Sequence, residues 1–175
     1  MGDTVKDSSR FQALISLDTI QTKLEKTVVS LGMISATLIL FINILYSAVS
    51  GSTLPWAAEI TQYIMVWVIF IGASLLMRST GHVTMDLIAR FIPKKTVLYL
   101  DIFIYAVVCA FLTYLVYIGW NMTLDVYSTG QTMTTLNASM VWVYLGFPVG
   151  VLLMAINALK LVVIKLRQAI GGEIN

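Results

Sequence analysis

Charge is what this sequence has least of. Of its 175 residues, 11 are Lys or Arg and 9 are Asp or Glu, together 11%, where a soluble domain carries about 25%. None of the four falls within 27–49, 60–77, 102–124 or 126–159. A charge at the centre of a membrane helix costs about 2.5–3.5 kcal/mol, so one found there marks an ion path, a proton relay or a solute site. Its absence argues against a translocation pathway within this chain. A single cysteine, Cys109, excludes a disulfide framework and a cysteine metal site, and a single histidine, His82, excludes a histidine cluster. No nucleophile with its base, no carboxylate pair and no metal set is present, so no enzyme is expected. No cofactor and no nucleic-acid partner are expected either.

What is abundant is apolar. Hydrophobic residues make up 58% of the chain, and the mean hydropathy is +0.87. Four runs are long enough to cross a bilayer, at about 27–49, 57–77, 97–124 and 136–159. The expected fold is an all-α membrane protein with four transmembrane helices, the membrane domain covering 27–159. Residues 1–26 form a cytoplasmic tail in which Phe11, Leu14, Ile15, Ile20 and Leu24 recur at near-helical spacing among charges. That pattern predicts an amphipathic helix over 10–26 lying in the membrane interface, or else packed on a partner. The first apolar run starts near residue 27 and lacks a small-residue cleavage pattern, so no cleaved leader is expected. Residues 160–175 form a second cytoplasmic tail, and a short interfacial helix is expected at 86–92.

Orientation follows from where the bases sit. Lys6, Arg10, Lys23 and Lys26 precede the first span. Arg78, Arg90, Lys94 and Lys95 lie between the second and third, and Lys160, Lys165 and Arg167 follow the fourth. The other two loops have none. The positive-inside rule then predicts both termini in the cytoplasm.

A few polar and small residues stand out. Arg78, His82 and Asp86 are four apart, which puts them on one helix face at the end of the second span. Such a stripe fixes a helix end at the interface, docks a partner, or relays protons. Asn43, the one amide of the first span, suits a helix–helix hydrogen bond. Gly146 and Gly150 form a GxxxG pair around Pro148, the pattern of a close-packed helix face with a kink. On the outer side the only charges are Glu59 and Asp125.

The pattern Trp56-x-x-Glu59-Ile60-x-x-Tyr63-x-x-x-Trp67-x-x-Phe70-x-Gly72-Ala73, followed by Arg78, His82, Asp86 and Pro93, resembles the small membrane subunit of TRAP transporters (tripartite ATP-independent periplasmic transporters), the DctQ type. Gly130-Gln131, Leu136, Trp142, Tyr144, Pro148 and Gly150 match that family's final hairpin, and within the family the sequence is similar to the sialic-acid branch. The resemblance implies an accessory subunit in the bacterial inner membrane. It would pack on a large multi-span subunit that imports a carboxylate solute, sialic acid or a C4-dicarboxylate, by an elevator motion. Sodium drives that import, with Na+ bound at the large subunit, and a periplasmic solute-binding protein delivers the solute. It further implies tight helix contacts at Gly32, Gly72, Ala73, Gly146 and Gly150, within the chain or with the large subunit, and a contact between Asp125 and the binding protein. The competing expectation is a four-span scaffold or anchor subunit of a complex unrelated to transport. A multidrug-type exporter would need a mid-membrane acid, and a haem-binding anchor would need more histidines.

Overall fold

The computed structural model describes the backbone of residues 3–83 and 94–170, and within these the side chains of 18–77 and 96–166. Long helices account for nearly all of it: α1 (Asp3–Ser50), α2 (Pro55–Val83), α3 (Lys94–Thr129), the single turn α4 (Val141–Tyr144) and α5 (Gly146–Ile170). Four of them carry segments long and apolar enough to cross a membrane, Asp18–Ser50, Pro55–Met77, Thr96–Thr129 and Val141–Leu166.

Local chemistry explains where these helices stop. Gly51 ends α1 with φ 70° and returns its N–H to the Ser47 carbonyl at 2.9 Å. At the end of α3, Gly130 has φ 62°, its N–H bonds Tyr127 O, and the Gln131 N–H reaches Val126 O. That pair of bonds is a Schellman cap, which requires a left-handed residue and so favours glycine. Pro55 opens α2, where its missing N–H costs nothing. Pro148 falls in the first turn of α5, so it starts that helix rather than kinking it.

Four boundaries differ from the sequence expectation. The interfacial helix expected at 10–26 is not a separate element, because α1 runs through it without a break. Its residues 18–25 bond to α2 and α5, as described below. The helix of the second span continues past Met77 to Val83. The fourth span begins at Val141, not 136, because 131–140 folds back on itself as a small hairpin. Thr132 and Ser139 bridge there, the Met133 N–H bonds Ala138 O at 2.8 Å, and Asn137 takes φ 49°. The residues expected as a tail from 160 are helical to Ile170. The short helix expected at 86–92 lies outside the described residues.

The helices pack as a row, in the order α1, α2, α5, α3. α5 lies against both α2 and α3, and α1 lies against α2. The core is small. Leu112 of α3 meets Val151, Ala155 and Ala158 of α5, with Phe70 and Met77 of α2 packed on them. Phe70 and Phe147 meet edge to face at 5.0 Å. Most large apolar side chains of α1 and α3 are exposed, which lipid tolerates. Association then depends on close packing and hydrogen bonds rather than on apolar burial.

Candidate functional site

Glycines mark close approach at each contact of the row, including Gly119 of α3, where an added Cβ would lie 2.6 Å from the Phe147 ring of α5. A Cβ added to Gly150 would lie 2.4 Å from the Phe70 Cβ and 2.8 Å from its carbonyl carbon. At Gly146 it would meet the Trp67 ring and Val66 at 3.3 Å, and at Gly32 the Val68 methyl at 2.5 Å. The GxxxG pair therefore seats α5 on α2 within this chain. Gly72 differs, since an added Cβ there meets nothing within 4 Å. The tight contact expected at Gly72 is not made inside this chain. Its neighbour Ala73 is likewise half-buried.

At its N-terminal end, α2 holds the 131–140 hairpin. The Glu59 carboxylate accepts hydrogen bonds from the Tyr63 hydroxyl at 2.5 Å, from the backbone N–H of Thr134 at 2.8 Å and of Thr135 at 2.9 Å, and from the Thr135 hydroxyl. One turn further on, the Trp67 indole N–H donates to the Trp142 carbonyl at 3.1 Å. Spaced four apart on α2, Glu59, with Tyr63 bonded to it, staples the hairpin to α2, and Trp67 ties down the turn α4 that follows it. Trp56, one turn before Glu59, is 40% exposed. Asn43 adds a second tether by accepting the Leu54 N–H at 2.8 Å, so it fixes the α1–α2 turn rather than bonding another helix. Asp125 is exposed near the end of α3.

At the opposite end lies a polar cluster that the sequence reading missed. Ser74 and Asn157 are fully buried and Glu25 nearly so. The Asn157 amide donates to the Ser74 hydroxyl at 2.9 Å and to its carbonyl at 3.2 Å. Ser74 Oγ in turn donates to Glu25 Oε1 at 3.3 Å, which also accepts from Gln21 Nε2 at 2.7 Å. Lys160 Nζ closes the cluster against Asp18 at 2.7 Å and Gln21 Oε1 at 2.9 Å. Helices α1, α2 and α5 are joined here by polar bonds, and α3 is tied to α5 nearby by the Lys165–Asp101 ion pair at 3.0 Å. The signal was present in the i, i+4 pair Gln21–Glu25 and in Asn157, alone in its apolar run. Arg78 and His82 lie on the last turns of α2, with side chains outside the described residues, and Asp86 lies outside them altogether. Among the described residues, no group of three or more His, Cys, Asp or Glu could hold a metal ion.

Residues 36–168 match the family model described as "Tripartite ATP-independent periplasmic transporters, DctQ component". The chain is also similar to the ectoine TRAP transporter small permease protein TeaB of Halomonas elongata, with 24% identity over 144 residues, covering 82% of this chain and 75% of that protein. The family match starts midway along α1 and runs nearly to the end of α5, so it takes in the hairpin staple and both glycine contacts of α5. It omits Asp18, Gln21 and Glu25.

Proposed function

The chain belongs to the DctQ family of TRAP transporter small membrane subunits, and from that membership we propose that it is the fixed scaffold of a sodium-driven importer. The family is a transporter component and not an enzyme. In this reading the chain packs on a large multi-span subunit that carries both the solute and Na+, and it steadies that subunit in the bacterial inner membrane with both termini cytoplasmic. The observation that best supports a scaffold is where its polar bonds lie. Polar side chains tie α1, α2 and α5 together toward the C-terminal end of α2 and tie the 131–140 hairpin to its N-terminal end, and no charged residue falls in the uncharged run 60–77 between them.

The solute we propose is a small organic carboxylate, of the sialic-acid or C4-dicarboxylate type. Ectoine, which the relative's name carries, also bears a carboxylate. The outer hairpin and Asp125 face the side from which a binding protein would dock, and Asp125 offers it a free acid. The stripe of Arg78, His82 and Asp86 marks the cytoplasmic end of α2 as a second docking point.

Co-expression with the large subunit tests the proposal. The expected result is a stoichiometric complex in mild detergent that, once reconstituted with binding protein, takes up a carboxylate only under an inward sodium gradient. A chain that purifies alone, as a stable oligomer of itself, would overturn it. In the same assay, Asp125→Lys should weaken stimulation by the binding protein at low ionic strength and not at high. An unchanged concentration dependence at every ionic strength would remove Asp125 from that contact.

A further inference from the structure

The two outer helices of the row present different faces to the bilayer. Along α1 the exposed large side chains at mid-span carry no hydroxyl, among them Leu31, Ile34, Leu38 and Phe41, and its exposed tyrosine, Tyr46, stands four residues before the helix end at Ser50. The outward face of α3 is not like this. Its hydroxyl-bearing aromatics Tyr114 and Tyr117 are 61% and 66% exposed, and neither hydroxyl has a hydrogen-bond partner among the described residues. On the same stripe lie Ala110 and, a turn beyond the tyrosines, Asn121.

Depth makes this significant. The uncharged run of α3, 102–124, is centred on Thr113. At about 1.5 Å per residue, the Tyr114 and Tyr117 Cα atoms sit roughly 1.5 and 6 Å past the centre toward the helix C-terminus. Helical side chains lean back toward the N-terminus. Both hydroxyls therefore lie near mid-bilayer, on the order of 10 Å from either edge of a hydrocarbon core about 30 Å thick. A serine or threonine at that depth can return its hydroxyl to the carbonyl one turn back, as Thr113 does to Cys109 at 2.8 Å. A tyrosine hydroxyl cannot reach its own backbone, and hydrocarbon offers it nothing, so facing lipid it stays unsatisfied at a free-energy cost.

We infer that the outward face of α3 is the seat of a transmembrane helix of the large subunit, which meets Tyr114 and Tyr117 with hydrogen-bonding groups at mid-bilayer. Ala110 lets that helix come close, while the mid-span face of α1, which bears no hydroxyl aromatic, is left to lipid. This rests on the proposal that a large multi-span subunit is the partner, and it adds which face and which side chains receive it.

Photo-crosslinking in the assembled complex tests it. Tyr114→p-benzoylphenylalanine and Tyr117→p-benzoylphenylalanine should each crosslink to the large subunit, and the same replacement at Ile34 of α1 should not. Co-purification of the unsubstituted chain with the large subunit is read first, and its failure removes the partner and this inference together. If the complex forms but Ile34 crosslinks to the large subunit while Tyr114 and Tyr117 crosslink only lipid or a second copy of this chain, the face is wrong and the partner stands. The double variant Tyr114→Phe/Tyr117→Phe keeps the rings and removes only the hydroxyls. It should weaken the complex roughly threefold per hydroxyl, the usual worth of an interhelical hydrogen bond in lipid. Unchanged affinity with the crosslinks intact would overturn the hydrogen bonds.

Discussion

Replacing Gly150 with alanine tests the packing of the row at its middle, because α5 and α2 are its two inner helices. The new Cβ would sit 2.4 Å from the Phe70 Cβ, 2.8 Å from its carbonyl carbon and 3.0 Å from its oxygen. Carbon atoms pack at about 3.5–4.0 Å, so α2 and α5 must separate by roughly 1 Å. No rotamer change relieves the clash, since two of the three obstructing atoms are backbone. Overpacking of this kind costs about 1–3 kcal/mol. The substitution also gains up to about 1 kcal/mol of helix propensity, which partly offsets it. Gly72→Ala supplies the control, because it brings the same propensity gain in the same membrane domain and a Cβ that meets nothing within 4 Å. Propensity cancels in the comparison, leaving Gly150→Ala less stable than Gly72→Ala by about 1–3 kcal/mol. Unfolding by SDS in mixed micelles, followed by tryptophan fluorescence, measures both. Equal midpoints for the two variants would mean that α5 does not sit on Phe70 as described.

Three further outcomes follow from the polar bonds. Asn157→Leu strips the donors from Ser74 and the acceptor from Gln21 and should cost about 1–3 kcal/mol in the same titration; a midpoint at or above the parent's would show that the cluster does not hold the helices. Of the Lys165–Asp101 partners, the acid is the more buried, at 6% side-chain exposure against 21%. Lys165→Met, which strands the acid, should therefore destabilise more than Asp101→Asn, which leaves a lysine able to extend to the interface; the reverse order would refute this. Glu59→Gln should release the hairpin, seen as faster hydrogen exchange at the Thr134 and Thr135 amides, with Tyr63→Phe having a smaller effect; unchanged exchange would mean the carboxylate does not hold those two N–H groups.

The spans were legible because long uncharged runs have few alternatives, and the GxxxG pair was legible because small residues at that spacing leave a groove. The helix ends were less so. Charge marks where a helix leaves the membrane, not where it stops being a helix, so α1 extends back through 10–26 and α2 runs past Met77. Leu136 reads as the start of a span by its apolarity, yet the hairpin around Asn137 claims it. Glu59 stands out in the sequence as one of two charges expected on the outer side, but its four hydrogen bonds are made within the chain, and nothing local in the sequence pairs it with Thr134 and Thr135, about 75 residues away. Separations of 49 and 83 residues likewise hid the cluster of Glu25, Ser74 and Asn157, whose members come from three helices. Each of them alone looks like an ordinary polar residue near a span end.

These two polar constructions divide the work of holding the row. Apolar contact cannot fix the relative position of helices in lipid, because lipid competes for every apolar face. The glycine contacts at Gly32, Gly146 and Gly150 set how closely neighbours approach, but a helix could still slide along such a groove. The Glu59 staple and the Glu25–Ser74–Asn157 cluster oppose that sliding. One ties the N-terminal end of α2 to the α3–α5 connection, and the other ties α1, α2 and α5 toward the C-terminal end of α2. A shift of α2 by one helical turn, about 5.4 Å, would break the bonds that α2 makes to its neighbours in both at once. For a subunit proposed to stand still while its partner moves, that coupling is the useful property. It predicts that Glu59→Gln and Asn157→Leu, at opposite ends, should each leave the complex assembled and each slow uptake. Combined, they should impair uptake by more than the product of the single effects, because only the double variant frees α2 to slide against α5. Strictly multiplicative effects on the uptake rate would mean that the two ends act independently and that the glycine contacts alone keep the register.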